Sequence, residues 1–435
     1  MRRPAPTGLP SGRSWWDGLA VERARRAFVE DLRRQPGVRD PRVVTALGAV
    51  ERHRLIDAAF TPVGELRPAT SWRALRGEHD PAALLETVYS MDQVVVQLEG
   101  RPATVAHRGI VHHGRPTGQS SGAGLLAVTL QDLRLEEGHR FVEVGACTGI
   151  LSAAAALITR RQATGVEIDA DLAGEAAVRT ARAGIDVRMV VRDGLRGLPD
   201  GPWDRIAGSF AVPAIPRAWW RGLAVGGVLT CTVSTGAPGW HATAVVEHGP
   251  DGTLGGRLRA DTWGHVLARG VPWLPVPERP RAAARVRSSV PAPPDFRDRG
   301  FWVSLAHLLP RVRRHWPAGE DPVVVLVGDD GSRTHIAPDG SVAEVWGPRD
   351  LWAEAEEVHT RWSAAGRPTE FDLHLRDECQ LVDGGPGLTW QLPGLDEGRS
   401  VRCRPARPHT TSPIRPHPLP APAPTHRPPE ERKST

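Results

Sequence analysis

The sequence predicts an α/β protein: a doubly wound, mostly parallel sheet with helices on both faces, followed by a smaller α+β unit. Three observations lead there. Apolar, strand-like runs at about 140–144, 163–167, 186–191, 203–209 and 226–233 alternate with helical patterns at about 149–160, 171–183 and 216–224. Strands alternating with helices form a parallel sheet covered on both faces. The stretch FVEVGACTGILSAAAALITRRQATGVEID (141–169) sets a small-residue turn between an apolar strand and a helix. Past residue 234 the alternation gives way to hairpin signals and Pro-rich segments.

Residues 1–20, rich in Pro, Gly and Arg at their start, read as a disordered N-terminus. VERARRAFVEDLRR (21–34) reads as an amphipathic helix with Ala24, Phe28, Val29 and Leu32 inward. Asp40-Pro41 opens a second helix, with Asp as N-cap and Pro at the first helical position. A strand is expected within 88–98. Residues 100–119, with Gly, Pro, Arg and histidines, read as a loop. Residues 122–133 read as a helix with Leu125, Leu126, Thr129, Leu130 and Leu133 on one face. Residues 242–247 and 253–260 flank Gly-Pro-Asp-Gly (249–252), a hairpin signal.

These elements divide the chain into a cofactor-binding domain over 21–273, its core about 120–235, and a Pro/Arg-rich linker over 274–296. An α+β accessory unit follows over 297–395, with a strand at 322–328, hairpin strands near 333–346 and a helix at about 349–364. A Pro-rich tail over 396–435 is too poor in apolar residues to order itself.

Composition excludes several function classes. No apolar run reaches the roughly 18 residues of a membrane span, and the N-terminus lacks the apolar stretch of a secretory signal. The net charge of +5 comes almost entirely from Arg, because Lys433 is the only lysine, and 50 acidic residues are interspersed. That pattern argues against a nucleic-acid stripe. Cys147, Cys231, Cys379 and Cys403 show no paired spacing, which argues against a zinc site or disulfide framework and fits a reducing cytoplasm. His112 and His113 have no carboxylate at ligand spacing and read as solvated loop residues, so no metal is expected. Trp219-Trp220 reads as core and rim packing.

The chemistry concentrates at the ends of three successive strands. Glu143 ends the first and leads into Gly145-Ala146-Cys147-Thr148-Gly149. Bare backbone there admits close approach of a ligand, and the next helix offers free N–H groups. Glu167 ends the second strand, about 20 positions on, where an acid suits a ribose diol. Asp193-Gly194 follows the third. The glycine spacing differs from G-x-G-x-x-G, which disfavours a dinucleotide. The alternate small residues after Glu143 resemble instead the S-adenosylmethionine loop of class I methyltransferases, a Rossmann-like fold. That resemblance implies Glu143 at the cationic methionine end, Glu167 at the ribose and Asp193 at the adenine amino group.

Further motifs narrow the resemblance. They are Asp40-Pro41-Arg42-Val43-Val44, Val50-Glu51-Arg52-His53-Arg54-Leu55-Ile56, Tyr89-Ser90, Gln97, Ser120-Ser121, Asp193-Gly194-Leu195-Arg196-Gly197-Leu198-Pro199, Trp203-Asp204-Arg205-Ile206, Ile215-Pro216 and Gly226-Gly227. In order, they resemble the protein-L-isoaspartate O-methyltransferase family over roughly 20–235. The resemblance implies methyl transfer to an aspartyl or isoaspartyl carboxylate of a protein or peptide. The ester so formed collapses to a succinimide. Ser121 holds the position of the family's substrate-side hydroxyl, with Ser120 a second candidate; a helix N-cap is the structural alternative for Ser121. The chain departs from the family at Cys147, where most members have Gly, and at Gly122 and Ala123, where they have Gln and Pro. These departures motivate a second reading, a peptide-binding module that keeps the fold without catalysis. Gly347-Pro348-Arg349-Asp350-Leu351-Trp352, Trp362, Gly366 and Pro368 resemble an actinobacterial subgroup associated with ATP-grasp or lanthipeptide maturation of ribosomal peptides. That implies a dedicated peptide substrate. The sequence does not address the oligomeric state, for which a monomer suffices.

Overall fold

The computed structural model describes residues 18–64, 70–199, 201–235, 240–260, 264–269, 280, 283–315, 324–377 and 379–393. Its centre is a ten-stranded sheet. Five strands are parallel: β1 (Phe141–Val144), β2 (Ala163–Glu167), β3 (Val187–Val191), β4 (Trp203–Val212) and β5 (Leu223–Ser234). Five antiparallel strands extend it: β6 (His241–His248), β7 (Leu254–Ala260), β8 (Glu370–Leu375), β9 (Gln380–Asp383) and β10 (Thr389–Gln391). The order is β10-β9-β8-β7-β6-β5-β4-β1-β2-β3. Chain order reverses between β1 and β4, and the carboxyl ends of strands at such a switch point are where α/β sheets bind ligands.

Local sequence explains the central elements. All four residues of β1 and all five of β2 are buried, as in parallel strands covered on both faces. The helix α1 (Ala123–Asp132) precedes β1. The helix α2 (Ile150–Thr159) is built of small residues and is nearly all buried, including Ser152. The helix α3 (Ala170–Arg182) starts at Asp169, whose carboxylate accepts from the N–H of Asp171 and Leu172. Asp40 caps the helix Pro41–Ala49 in the same way, accepting from Arg42 N–H, with Pro41 at its first turn.

The N-terminal segment is more regular than the sequence suggests. A helix at Pro81–Val88 precedes the expected strand, which spans Val94–Leu98. Ala58–Pro62, Ser71–Arg76 and Val111–His113 lie in the same antiparallel sheet, and Pro116–Ser120 pairs with Val94–Leu98. The 100–119 stretch read as a loop therefore contains strand segments. Their backbone groups are satisfied by neighbours far away in sequence, a signal that local composition does not carry.

The C-terminal part also departs from the sequence reading. A second antiparallel sheet runs Arg285–Ser288, Val342–Trp346, Arg333–Ile336, Val324–Gly328, Val312–His315, so its edge strand comes from the stretch read as linker. The helices Arg299–Leu308 and Leu351–Ala364 accompany it. Strands β8 to β10, also within 297–395, add to the edge of the central sheet through β7. One apolar core runs from Val142, Trp219 and Leu229 to Trp302, Trp352 and Phe371. Residues 297–395 thus share a core and a sheet with the preceding domain. Cys379 is disulfide-bonded, which corrects the expectation of no disulfide; Cys147 and Cys231 are free. The expected tail and most of the expected N-terminal disorder lie outside the described residues.

Candidate functional site

The turn after β1 is a run of unusual backbone. Gly145, Cys147 and Gly149 have φ of 88°, 44° and 74°. Glycine takes such values freely, whereas an L side chain pays of order 1–2 kcal/mol. The N–H groups of Gly145 and Ala146 both donate to the carbonyl of Val166 in β2, at 2.8 and 3.1 Å. A Cβ on Gly145 would come within 2.6 Å of the Phe210 ring at the end of β4, so that ring walls the turn. Gly194 is buried against Val144 and Val166, with no room for a Cβ.

The three strand-end acids sit in different surroundings. Glu143 is 3% exposed. Its Oε2 accepts from Ser152 N–H at 3.0 Å and Ser152 Oγ at 2.6 Å, and its Oε1 accepts from Ser209 Oγ at 2.7 Å. Burial pushes its carboxyl up to about 7, against the pull of the Ser152 and Ser209 hydrogen bonds. It clamps α2 and β4 to β1, with both oxygens engaged by Ser152 and Ser209, whereas the resemblance implied a place at the cationic methionine end of the cofactor. Glu167, 6% exposed, accepts from Cys147 N–H at 2.9 Å through Oε2 and from Ile168 and Asp169 N–H through Oε1. Asp193 is half-buried; its Oδ1 accepts from Leu195 N–H and its Oδ2 pairs with Arg196.

The two serines separate clearly. Ser120 is buried, and its hydroxyl makes only a long contact to the Ser121 carbonyl at 3.4 Å. Ser121 is half-buried, and its hydroxyl has no hydrogen-bond partner among the described residues. The N-cap of α1 is Gly122, without a side-chain cap bond, so the capping alternative for Ser121 does not hold. Gly122 packs its Cα against the Met91 carbonyl, 2.9 Å from where a Cβ would lie. Backbone crowding explains why no larger residue stands there.

The remaining candidates fall outside the site. His113 Nδ1 contacts Ser71 Oγ at 3.1 Å, and His112 Nε2 contacts the His107 carbonyl at 2.8 Å. No cluster of metal-ligating side chains exists among the described residues. Trp219 and Trp220 are core residues. In the subgroup-like segment, Asp350 caps the helix Leu351–Ala364 and Trp352 is buried, a structural corner. Sequence reasoning missed Ser152, Ser209 and Phe210. Ser152 and Ser209 are ordinary helix and strand residues, respectively, until the fold sets them on Glu143. No helix among the described residues is long and apolar enough to cross a membrane.

Comparison with known proteins gives consistent results. Residues 112–247 match the family described as protein-L-isoaspartate(D-aspartate) O-methyltransferase. A protein-L-isoaspartate O-methyltransferase of Bordetella parapertussis is 30% identical over 232 residues, covering 52% of this chain and 72% of that protein. One from Aeropyrum pernix is 28% identical over 263 residues, covering 58% of this chain and 82% of the relative. A solved protein-L-isoaspartate O-methyltransferase aligns at 18% identity with a TM-score of 0.45, covering 84% of this chain and 98% of that one.

Proposed function

The chain belongs to the protein-L-isoaspartate O-methyltransferase family, and from that premise we propose that it transfers a methyl group from S-adenosylmethionine to the free carboxylate of isoaspartyl residues, the α-carboxylate left outside the main chain, in a protein or peptide. The observation that carries this reading is the positive-φ turn 145–149 held against the buried carboxylate of Glu167, with the unpartnered hydroxyl of Ser121 on the segment entering α1.

The residues present suit this cofactor. Gly145 leaves bare backbone between the turn and Phe210. Glu167 keeps one of its roughly four lone-pair sites after accepting three N–H groups, on Oε2, enough for one ribose hydroxyl. Asp193, at the next strand end, is accessible to an adenine amino group. Gly145, Ala146, Cys147, Gly149 and Gly194 would line the remainder. When bound, the cofactor supplies a methyl group activated by a sulfonium.

The chain's own task is alignment. An aspartyl or isoaspartyl carboxylate is ionised at neutral pH, with an ordinary pKa near 4, so no general base is required. Ser121 Oγ donates to one carboxylate oxygen and leaves the other free as nucleophile. A neutral hydroxyl orients the acceptor without quenching its charge. Holding two reactants in attack geometry can supply roughly 7–11 kcal/mol of barrier reduction. Phe210 and the buried turn exclude water from the donor side. Glu143 takes no part in proton transfer, because Ser152 and Ser209 occupy its oxygens. The family match favours the catalytic reading over the non-catalytic one that the departures at Cys147, Gly122 and Ala123 motivate.

The test is methyl transfer from labelled S-adenosylmethionine to an isoaspartyl peptide and to its aspartyl twin. Base-labile label on the isoaspartyl peptide is expected. A folded protein that binds the cofactor and labels neither peptide would overturn the proposal.

A further inference from the structure

The segment 264–269 follows β7 and crosses the carboxyl edge of the sheet. Its start is fixed by His265, whose Nδ1 lies 2.8 Å from Thr232 Oγ1 and whose N–H donates to the same oxygen at 3.2 Å. Its middle pairs in parallel with the end of β4: Ala211 N–H donates to the Val266 carbonyl, and Ala268 N–H to the Ala211 carbonyl, at 2.7 and 3.0 Å.

Its end is Arg269, which reaches three groups at once. Nη1 donates to Asp169 Oδ2 at 3.2 Å. Nη2 donates to Gln97 Oε1 at 3.0 Å and to the Thr117 carbonyl at 2.8 Å. The network is closed, because Gln97 Nε2 donates to Asp169 Oδ2 at 3.0 Å and Thr117 Oγ1 donates to Gln97 Oε1 at 2.8 Å. Gln97 is 1% exposed, so its polar atoms depend on these partners.

The two arms of this network lead to the two halves of the site. Asp169 N–H donates to Glu167, and Glu167 accepts from Cys147 N–H in the turn. Thr117 belongs to the strand Pro116–Ser120, which runs directly into Ser121. That strand packs closely on the turn: a Cβ on Gly118 would lie 3.0 Å from Gln97 Cβ and 3.6 Å from Cys147 Sγ. A planar guanidinium presents its donors in a fixed fork, so one side chain sets the spacing between the arms.

We infer that Arg269 is a positioning residue that registers the acceptor segment ending in Ser121 against the donor half of the site around Glu167. The inference rests on the methyl-transfer reading above. Its effect falls on alignment and not on cofactor contact. Displacement of reacting groups by about 1 Å can cost on the order of 100-fold in rate.

The test compares the wild type with Arg269→Ala and Arg269→Lys in the full chain. Calorimetry gives the affinity for S-adenosylmethionine, and steady-state kinetics with an isoaspartyl peptide gives kcat and KM. Hydrogen exchange reports amide protection at 116–121. For Arg269→Ala we expect an affinity within about 3-fold, kcat lower by about 10–100-fold, and faster exchange at 116–121. Millimolar guanidinium should restore part of kcat in Arg269→Ala. Arg269→Lys should remain impaired, because one ammonium cannot fork to Asp169 and Gln97 together. Unchanged kcat in Arg269→Ala, or unchanged protection at 116–121, overturns the inference. A wild type without methyl transfer defeats the functional reading instead, and the exchange measurement still decides whether Arg269 holds the acceptor strand.

Discussion

The backbone N–H of Cys147 donates to Oε2 of Glu167 at 2.9 Å. This bond joins the turn after β1 to the end of β2 and orients a carboxylate that is otherwise filled only by its own following amides, Ile168 and Asp169. An acceptor-only group suits that position, because all its protein partners are donors.

Glu167→Gln should therefore weaken both cofactor binding and the turn. A carboxamide has one acceptor oxygen, so its amino group must face N–H donors on one side. A buried donor left unsatisfied costs about 1–3 kcal/mol. We expect cofactor affinity to fall at least 10-fold, about 1.4 kcal/mol, with a lower melting temperature. Calorimetry on a variant shown to be folded checks this, and wild-type affinity would remove Glu167 from the cofactor site.

Cys147 stands at φ 44°, where side chains are strained. Cys147→Gly relieves that strain but gives up a half-buried thiol and makes the unfolded chain more flexible, effects that offset within about 1 kcal/mol. Cys147→Val adds a β-branched side chain at positive φ and should cost about 2 kcal/mol more. The expected order of melting temperatures is wild type close to Gly, with Val well below. A Val variant as stable as wild type would show that the turn is not constrained as described.

The central α/β alternation was legible because β1 (FVEV) and β2 (ATGVE) are short runs containing β-branched residues between turn signals, and α2 and α3 carry clear helical signals. The N-terminal strands were not. Ser71–Arg76 reads SWRALR, in which Arg73 is exposed while Trp72, Ala74 and Leu75 are buried, so neither period appears cleanly. The helix Arg299–Leu308 is buried on nearly every side and has no polar face to reveal it. At the site, the acids at strand ends follow from local pattern, and Ser121 from the family resemblance. The inward turn of Glu143 depends on Ser209, 66 residues away, and the reach of Arg269 to Gln97 spans 172 residues. Such contacts exist only once the sheet has set its strand order.

Ser121→Ala should separate orientation from binding. The hydroxyl has no structural partner among the described residues, so its removal should leave stability within about 0.5 kcal/mol. Loss of one orienting donor should lower kcat by about 10-fold or more, equivalent to 1.4 kcal/mol, with cofactor affinity unchanged. Ser120→Ala should leave kcat intact, because the Ser120 side chain is buried away from any acceptor. Reversal of these two results would move the acceptor contact to Ser120.

Acid should unfold the protein through its buried histidines. Burial pushes His53, His241, His265 and His307 each down to about 4. His53 is held beside the Tyr89 hydroxyl at 2.8 Å. In the unfolded chain these rings take a proton near pH 6.5. Between pH 6.5 and 4 the unfolded state binds more protons than the folded one. Their contribution is therefore complete above pH 6.5 and is lost as pH falls through that window, by of order 1–3 kcal/mol per group. Glu143 works in the opposite direction. Its folded value of about 7 lies above its ordinary 4.5, so acidification from pH 7 to 4.5 stabilises the fold through this group. Four groups against one give a net loss. Unfolding free energy from urea titrations should fall from pH 6.5 to 4.5, and more steeply in Glu143→Gln, which lacks the compensating proton uptake. At pH 8 the same variant should be at least as stable as wild type, because Gln can accept from Ser152 and donate to Ser209 without burying a charge. Parallel pH profiles for the two proteins would show that Glu143 is ionised in the fold at neutral pH.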